Sequence, residues 1–416
     1  MKRLNAAFVY LFANLIMGMA GKIIFTTYVI YRVDVVGLDP LQLVLLGTAL
    51  EVTIFIFEVP TGVVADIYSR RLSTIVGVAL IGFGHMLEGS RPLFEYALAA
   101  QVLWGFGWTF ISGAFSAWIS DEVGVERVGA LFLRSNQLAL LGNALGIPVA
   151  VWVARQGIAL PYLVGGALWV ALAIFLLFFM PEEGFTRVPK EEREGWSGML
   201  KTFSGGLNLV RGRRILMIYA VIGLFVGLYS EAWDRLSQPF LLENFTFPDL
   251  AGLDLDAIAW FGILNAIFIP VGMVSNEIAK RMVDTARPSA LLRSLQWVYG
   301  LMVAAILIFT LSGNFYLAIA ATLLFNGARG VSFSLGHAWV NHQLPSKVRA
   351  TVLSMTGQID AFGELAGGPV LGTIGRLQSL RAALITSALV LSPVSPLFKR
   401  IEQIQEAEQT SNEAEE

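Results

Sequence analysis

The sequence contains no cysteine and only three histidines in 416 residues. Disulfides, thiol catalysis and cysteine-built metal sites are therefore excluded. No histidine has metal spacing with another ligand. His337 and His342 point apart on a helix, and His85, His337 and His342 are read as hydrogen-bonded packing residues. Charge is scarce too. Only 14% of residues are charged, against about 25% in an average soluble domain. That is too little polar surface to cover a soluble globule. The net charge of −2 leaves no basic excess for nucleic acid. No phosphate loop, zinc helix or nucleophile elbow occurs, so no cofactor, no enzymatic activity and no ATP-driven step are expected of this chain.

Apolar residues are abundant. They make up 56% of the chain, and mean hydropathy is +0.66. Apolar runs reach roughly 20 residues, the length that crosses a bilayer core. About twelve such segments can be placed. Six lie near 7–31, 41–65, 72–89, 95–120, 129–153 and 158–180, and six near 214–238, 256–279, 288–311, 315–339, 350–374 and 380–398. Met1-Lys2-Arg3 leads into the first with no small-residue cleavage site, so this segment reads as a span and not a cleaved signal. The predicted fold class is an all-α membrane protein of twelve transmembrane helices in two pseudo-symmetric six-helix bundles. The bundles cover 1–180 and 214–398, joined by a linker at 181–213 and followed by an acidic tail at 399–416.

Lys and Arg set the expected orientation. With the N-terminus inside, the inner loops hold Arg70, Arg71, Arg127, Lys280, Arg281, Arg287, Lys347, Arg349 and the linker's cluster. The outer loops hold only Arg32, Arg91, Arg155, Arg376 and Arg381. Both termini are thus expected in the cytoplasm, with the chain in the cell (inner) membrane. In the linker, Trp196, Leu200, Phe203 and Leu207 share one helical face, as in a surface-lying amphipathic helix, though a plain linker fits as well. The tail's run of glutamates is read as disordered.

The chain repeats itself. Val59-Pro60-Thr61-Gly62 runs through Asp66 to Arg70-Arg71, and Ile269-Pro270-Val271-Gly272 runs through Asn276 to Lys280-Arg281 at the same spacing. A second echo links Gln137, Gly142, Gly146 and Pro148 to Gln358, Gly363, Gly367 and Pro369 at one constant offset. A unit built twice is the plan of many transporters, which bind substrate between the halves. Glycine lets helices approach closely. Asp66 near a helix end can take up Arg70 or Arg71, with Glu58 beside them, so that Gly62, Glu58, Asp66, Arg70, Arg71, Asn276, Lys280 and Arg281 form a candidate conformational latch.

The first of these stretches resembles the loop signature of the major facilitator superfamily, Gly-x-x-x-Asp-Arg-x-Gly-Arg-(Arg/Lys). Gly62, Asp66, Arg70 and Arg71 match, while Ile67 and Ser69 replace the first Arg and the second Gly. Gly272, Asn276, Lys280 and Arg281 form the weaker second copy. The resemblance covers nearly the whole chain, and is nearest to drug-efflux members. Gly105-Phe106-Gly107 looks like the tail of a family motif whose leading Arg drives proton exchange, but Gln101 stands there. Gly142-x-x-x-Gly146-Ile147-Pro148 looks like a broken antiporter motif, and Gly363 to Gly372 carries the fuller glycine-proline run; plain helix packing explains both as well. The resemblance implies that spans 1, 4, 7 and 10 line a central cavity, and that spans 2, 5, 8 and 11 flank the seam.

A charge at bilayer depth costs at least ~2.5 kcal/mol and so needs a partner or a wet cavity. Candidates are Lys22, Glu51, Arg329, Asp360 and Glu364. Glu51, Asp360 and Glu364 are read as proton-coupling groups or as permanent salt bridges, with Lys22 and Arg329 as counter-ions. Glu231 and Arg235 can pair as i, i+4 neighbours beside Asp234. The substrate-cavity candidates are Lys22, Trp104, Trp108, Arg329 and Trp233, aromatic walls suiting amphipathic compounds.

The expected function is secondary transport by alternating access. The preferred form is proton-coupled export of a small hydrophobic or amphipathic compound. The alternatives are a proton symporter importing a metabolite or organic anion, and an uncoupled lipid mover or membrane sensor. The expected partners are a small-molecule substrate, protons and the lipid bilayer, with the chain working as a monomer.

Overall fold

In the computed structural model the described residues are 4–186, 214–249, 255–343 and 346–415. The proposed amphipathic helix around Trp196–Leu207 lies outside them. Among the described residues all regular structure is helical. The long helices are α1 (Ala6–Val35), α2 (Pro40–Ile67), α3 (Arg70–Ser90), α4 (Phe94–Val123), α5 (Val125–Gln156), α6 (Leu160–Phe179), α7 (Arg214–Asn244), α8 (Ala257–Met282), α9 (Pro288–Leu311), α10 (Phe315–Gln343), α11 (Ser346–Leu377) and α12 (Leu380–Ala407). Eleven of these are long and apolar enough among the described residues to cross a bilayer; α11 is the other.

Short polar residues start several spans. Asn5 accepts hydrogen bonds from the amides of Ala7 and Phe8. Asp39 and Gln42 form a reciprocal capping box, with Pro40 in the first turn. Ser69 caps α3 and Ser379 caps α12. Each satisfies amides that the helix itself leaves open. Gly124 turns the chain from α4 into α5 at φ +84°, a left-handed position that glycine takes without strain.

Three spans differ from the uninterrupted helices expected, and one of them, α12, breaks at Ser392–Pro393. α1 breaks at Thr26–Thr27, where the Thr26 hydroxyl bonds back to the Lys22 carbonyl, and continues as a π-helix over Tyr31–Val35. α4 breaks at Ser112–Gly113.

The chain forms two compact units, 1–199 with 248–266, and 200–247 with 267–416. In the first unit Trp118 is buried against Tyr10 and Phe115, and its indole N–H donates to the Pro181 carbonyl at 2.7 Å. In the second, Trp233 is buried between Phe309 and Phe325. Glycines set the spacing within each unit. A Cβ on Gly146 would meet the Met19 carbonyl of α1 at 2.6 Å. A Cβ on Gly363 would meet the Leu224 carbonyl of α7 at 2.6 Å. Thus α5 seats on α1, and α11 on α7, by the same repeated glycines.

The acidic tail corrects an expectation. It is helical to Glu415, not disordered. Phe398 and Ile401 are buried, and Glu402 is held by Arg293 and by the Gln296 amide at 2.9 Å. Composition did not show that α9 offers these partners.

Candidate functional site

The second unit holds a cavity of about 210 Å³. It is lined by Tyr219 and Val226 of α7, Tyr299 of α9, Ser332, Phe333 and His337 of α10, Asp360 of α11 and Phe398 of α12, with others. Asp360 reaches this wall because of local packing. Gly227 of α7 lies against the Asp360 backbone, and Gly363 brings the next turn of α11 equally close. The Oδ1 atom of Asp360 is buried and accepts no hydrogen bond from the described residues. Neither a lysine nor an arginine is among the described lining residues.

The counter-ion expected for Asp360 has another partner. Arg329 of α10 grips Asp234 of α7 with both terminal nitrogens, at 2.5 and 2.9 Å. A bidentate pair of this kind is among the stronger side-chain contacts. Glu364 accepts from the Ser230 hydroxyl at 3.2 Å. Glu231 pairs with Arg235 at 2.9 Å, as the i, i+4 spacing suggested. Trp233 belongs to the aromatic core and does not line the cavity: only 3% of it is exposed.

In the first unit, the loop motif is a junction of three helix ends. Arg70 pairs with Asp121 of α4 and, at 3.4 Å, with Asp66 of α2. Ser69, in the place of the usual glycine, donates to Glu182 at 2.7 Å while capping α3. Arg71 gives its backbone amide to Glu182 at 2.9 Å and a guanidinium nitrogen to the Leu177 carbonyl at 2.5 Å. Glu122 accepts from the amides of Glu183 and Gly184.

Parts of the expected latch are absent from this junction. Glu58 is exposed and pairs with neither arginine. Gly62 and Gly272 have no neighbour within 4 Å of a would-be Cβ, so neither marks a close helix approach. In the second copy, Lys280 and Arg281 are highly exposed and pair with Glu277 on their own helix. Such surface pairs contribute little. Asn276 instead accepts from Ser334 of α10 at 2.8 Å.

Lys22 is half-buried and donates to the Asn265 amide oxygen at 2.7 Å, within the first unit, and not to a carboxylate. Glu51 is half-buried on α2. Trp104 lies in tilted ring contact with Phe25 and His85, while Trp108 is 45% exposed. Gly105 and Gly107 face the Leu50 and Gly77 carbonyls, so that pair packs α4 on α2 and α3.

One cluster escaped the sequence reading. Arg32 is not a loop residue; it is buried, and its Nε meets Glu88 at 2.8 Å. Tyr162 donates to the same Glu88 oxygen at 2.9 Å, and Gln101 to the other at 3.1 Å. Tyr31 adds a bond to the Glu88 carbonyl at 3.0 Å. The π-helical end of α1 thus carries both Tyr31 and Arg32 onto α3. The available signal was two opposite charges at the ends of the first and third apolar spans.

Comparison with known proteins agrees with this architecture. Residues 10–368 match the family model of the Major Facilitator Superfamily. The uncharacterized MFS-type transporter YxaM of Bacillus subtilis (strain 168) is 24% identical over 383 residues, covering 90% of each chain. Among solved structures, a point mutant of the nucleoside transporter NupG aligns with a TM-score of 0.74 at 14% identity, over 96% of this chain and 99% of that one. A POT family transporter in complex with 5-aminolevulinic acid aligns at 0.73 and 13% identity, over 95% and 96%. A bacterial homologue of the human lysosomal transporter Spinster aligns at 0.70 and 13% identity, over 96% of each. With its long apolar helices and the family match spanning most of its length, the chain is a multi-pass membrane protein belonging to the Major Facilitator Superfamily.

Proposed function

We propose that the chain is a secondary transporter that exports a small hydrophobic or amphipathic compound in exchange for protons. It works by alternating access of two six-helix bundles, as a monomer in the cell membrane, with both termini cytoplasmic. The observation that carries this reading is Asp360. It is a carboxylate on α11, at the wall of an aromatic cavity, with a buried oxygen that accepts no hydrogen bond from the described residues. A charge at that depth is costly without compensation. A proton or a ligand can each supply the missing contact, which is what an exchanger requires of one group.

The anion-symport reading has less support, because Arg329 is engaged by Asp234 and Lys22 by Asn265. Glu51 on α2 is the second proton-coupling candidate. The three-helix junction around Arg70 is the proposed latch, with Asp121 and Glu182 added to Asp66 and Arg71. A growth screen tests the export reading. An efflux-deficient strain expressing the chain is expected to resist a subset of toxic amphipathic compounds. Asp360→Asn and Glu51→Gln are expected to abolish that resistance at equal protein levels. Unchanged sensitivity across the whole panel would count against export.

A further inference from the structure

The cavity beside Asp360 has features that select a ligand by charge and by size. Its rings are Tyr219, Tyr299, Phe333 and Phe398, from four different helices. Its one carboxylate presents an unbonded oxygen. Arg329, a guanidinium of the same unit, commits both terminal nitrogens to Asp234. An anion placed here would face Asp360 without a compensating cation in the wall. A neutral molecule would bring no charge to that carboxylate. An ammonium group would pair with it and lie among aromatic faces, which attract cations once water is removed.

Size narrows the class further. Drug-sized sites occupy about 300–1,000 Å³, and this cavity holds about 210 Å³. One ring with a short amine fits within it. We propose that this cavity inside the second unit binds a small single-ring organic cation, with Asp360 as its counter-ion and the four aromatic rings as its cage. This rests on the reading of the chain as an exporter and names the class of compound that reading leaves open.

Several other groups bear on how the site responds to pH. From α7 come Tyr219, Tyr229 and Asp234; from α9, Tyr299; from α10, Arg329 and His337; from α11, Glu364. Arg329 is held by Asp234, and the tyrosines are neutral near pH 7. His337, in ring contact with Phe333, is the imidazole on the wall.

Three probes of one shape and different charge test the proposal on the purified full-length protein in detergent. They are benzylamine, benzyl alcohol and benzoate, measured by calorimetry. Benzylamine is expected to bind at least about tenfold more tightly than the other two, a difference of ~1.4 kcal/mol. Asp360→Asn is expected to remove that preference and leave benzyl alcohol unchanged. Should that variant fail to fold, Gly336→Val serves. A Cβ there sits 3.7 Å from the Tyr219 hydroxyl, so the larger side chain fills the cavity and keeps the carboxylate. It is expected to weaken benzylamine binding to the level of benzyl alcohol. Equal binding of all three probes, or benzylamine binding that survives both variants, overturns the proposal. If neutral compounds drive proton exchange in vesicles while benzylamine fails to bind, the cation class is wrong and the exporter stands. If benzylamine binds but no compound moves protons, the exporter falls and the site remains.

Discussion

At the residue scale, the Arg32–Glu88 pair is the clearest case of charges kept out of water. Both side chains are almost fully buried, and Tyr162 and Gln101 occupy remaining acceptor sites on the carboxylate. Removing one member of such a pair leaves the other uncompensated, at a cost of roughly 3–5 kcal/mol, whereas replacing both with apolar residues is close to neutral. Glu88→Gln is therefore expected to lower thermal stability in detergent strongly, and Arg32→Met/Glu88→Leu to restore most of it. A single variant as stable as the parent would contradict this account. Partnerships at this scale were the least legible in the sequence. Asp360 and Arg329 were visible as charges within apolar spans, but the choice of Asp234 as partner depends on helix rotation, which periodicity does not fix. Arg32 was hidden because it sits at the end of an apolar run, where a loop residue looks the same.

At the element scale, the repeated glycines divide into two kinds. Gly142, Gly146, Gly363 and Gly367 lie where a Cβ would collide with the backbone of a neighbouring helix, while Gly62 and Gly272 face open space. Gly62→Ala is thus expected to leave folding unchanged. Gly363→Leu is expected to push α11 from α7 and destabilise by roughly 1–3 kcal/mol or more. Size-exclusion profiles and thermal unfolding of the two variants check this; a folded, fully stable Gly363→Leu protein would refute the packing account. Ser69 carries two jobs, capping α3 and holding Glu182. Ser69→Ala is expected to cost about 1–2 kcal/mol, and Ser69→Gly, which restores the family residue, should lose the Glu182 contact as well. An unchanged melting temperature for both would refute the capping role. The sequence repeat showed that glycines mattered in both halves. It did not distinguish packing glycines from exposed ones, because both sit at the same spacing.

At the scale of the whole molecule, the count, length and order of the spans were legible because a bilayer core imposes one length on every crossing helix. The interruptions in α1 and α4 were not, since Thr26–Thr27 and Ser112–Gly113 lie inside unbroken apolar runs. The helical tail was missed for the opposite reason: it is charged, and its order comes from Arg293 and Gln296 on another helix. Truncation after residue 400 is accordingly expected to destabilise the second unit, which limited proteolysis would detect as faster cleavage in α9. A proteolysis pattern identical to that of the full chain would contradict this. Transport is the claim at this scale on which the rest depends. The most direct measurement uses inside-out vesicles holding an acid-inside proton gradient, read by a pH-sensitive dye as benzyltrimethylammonium, a permanent cation with no membrane-permeant free base, is added. The account predicts that addition discharges the gradient in vesicles bearing the wild-type chain and does not in those bearing Asp360→Asn. A deepened gradient, or one that does not respond in either, would contradict it.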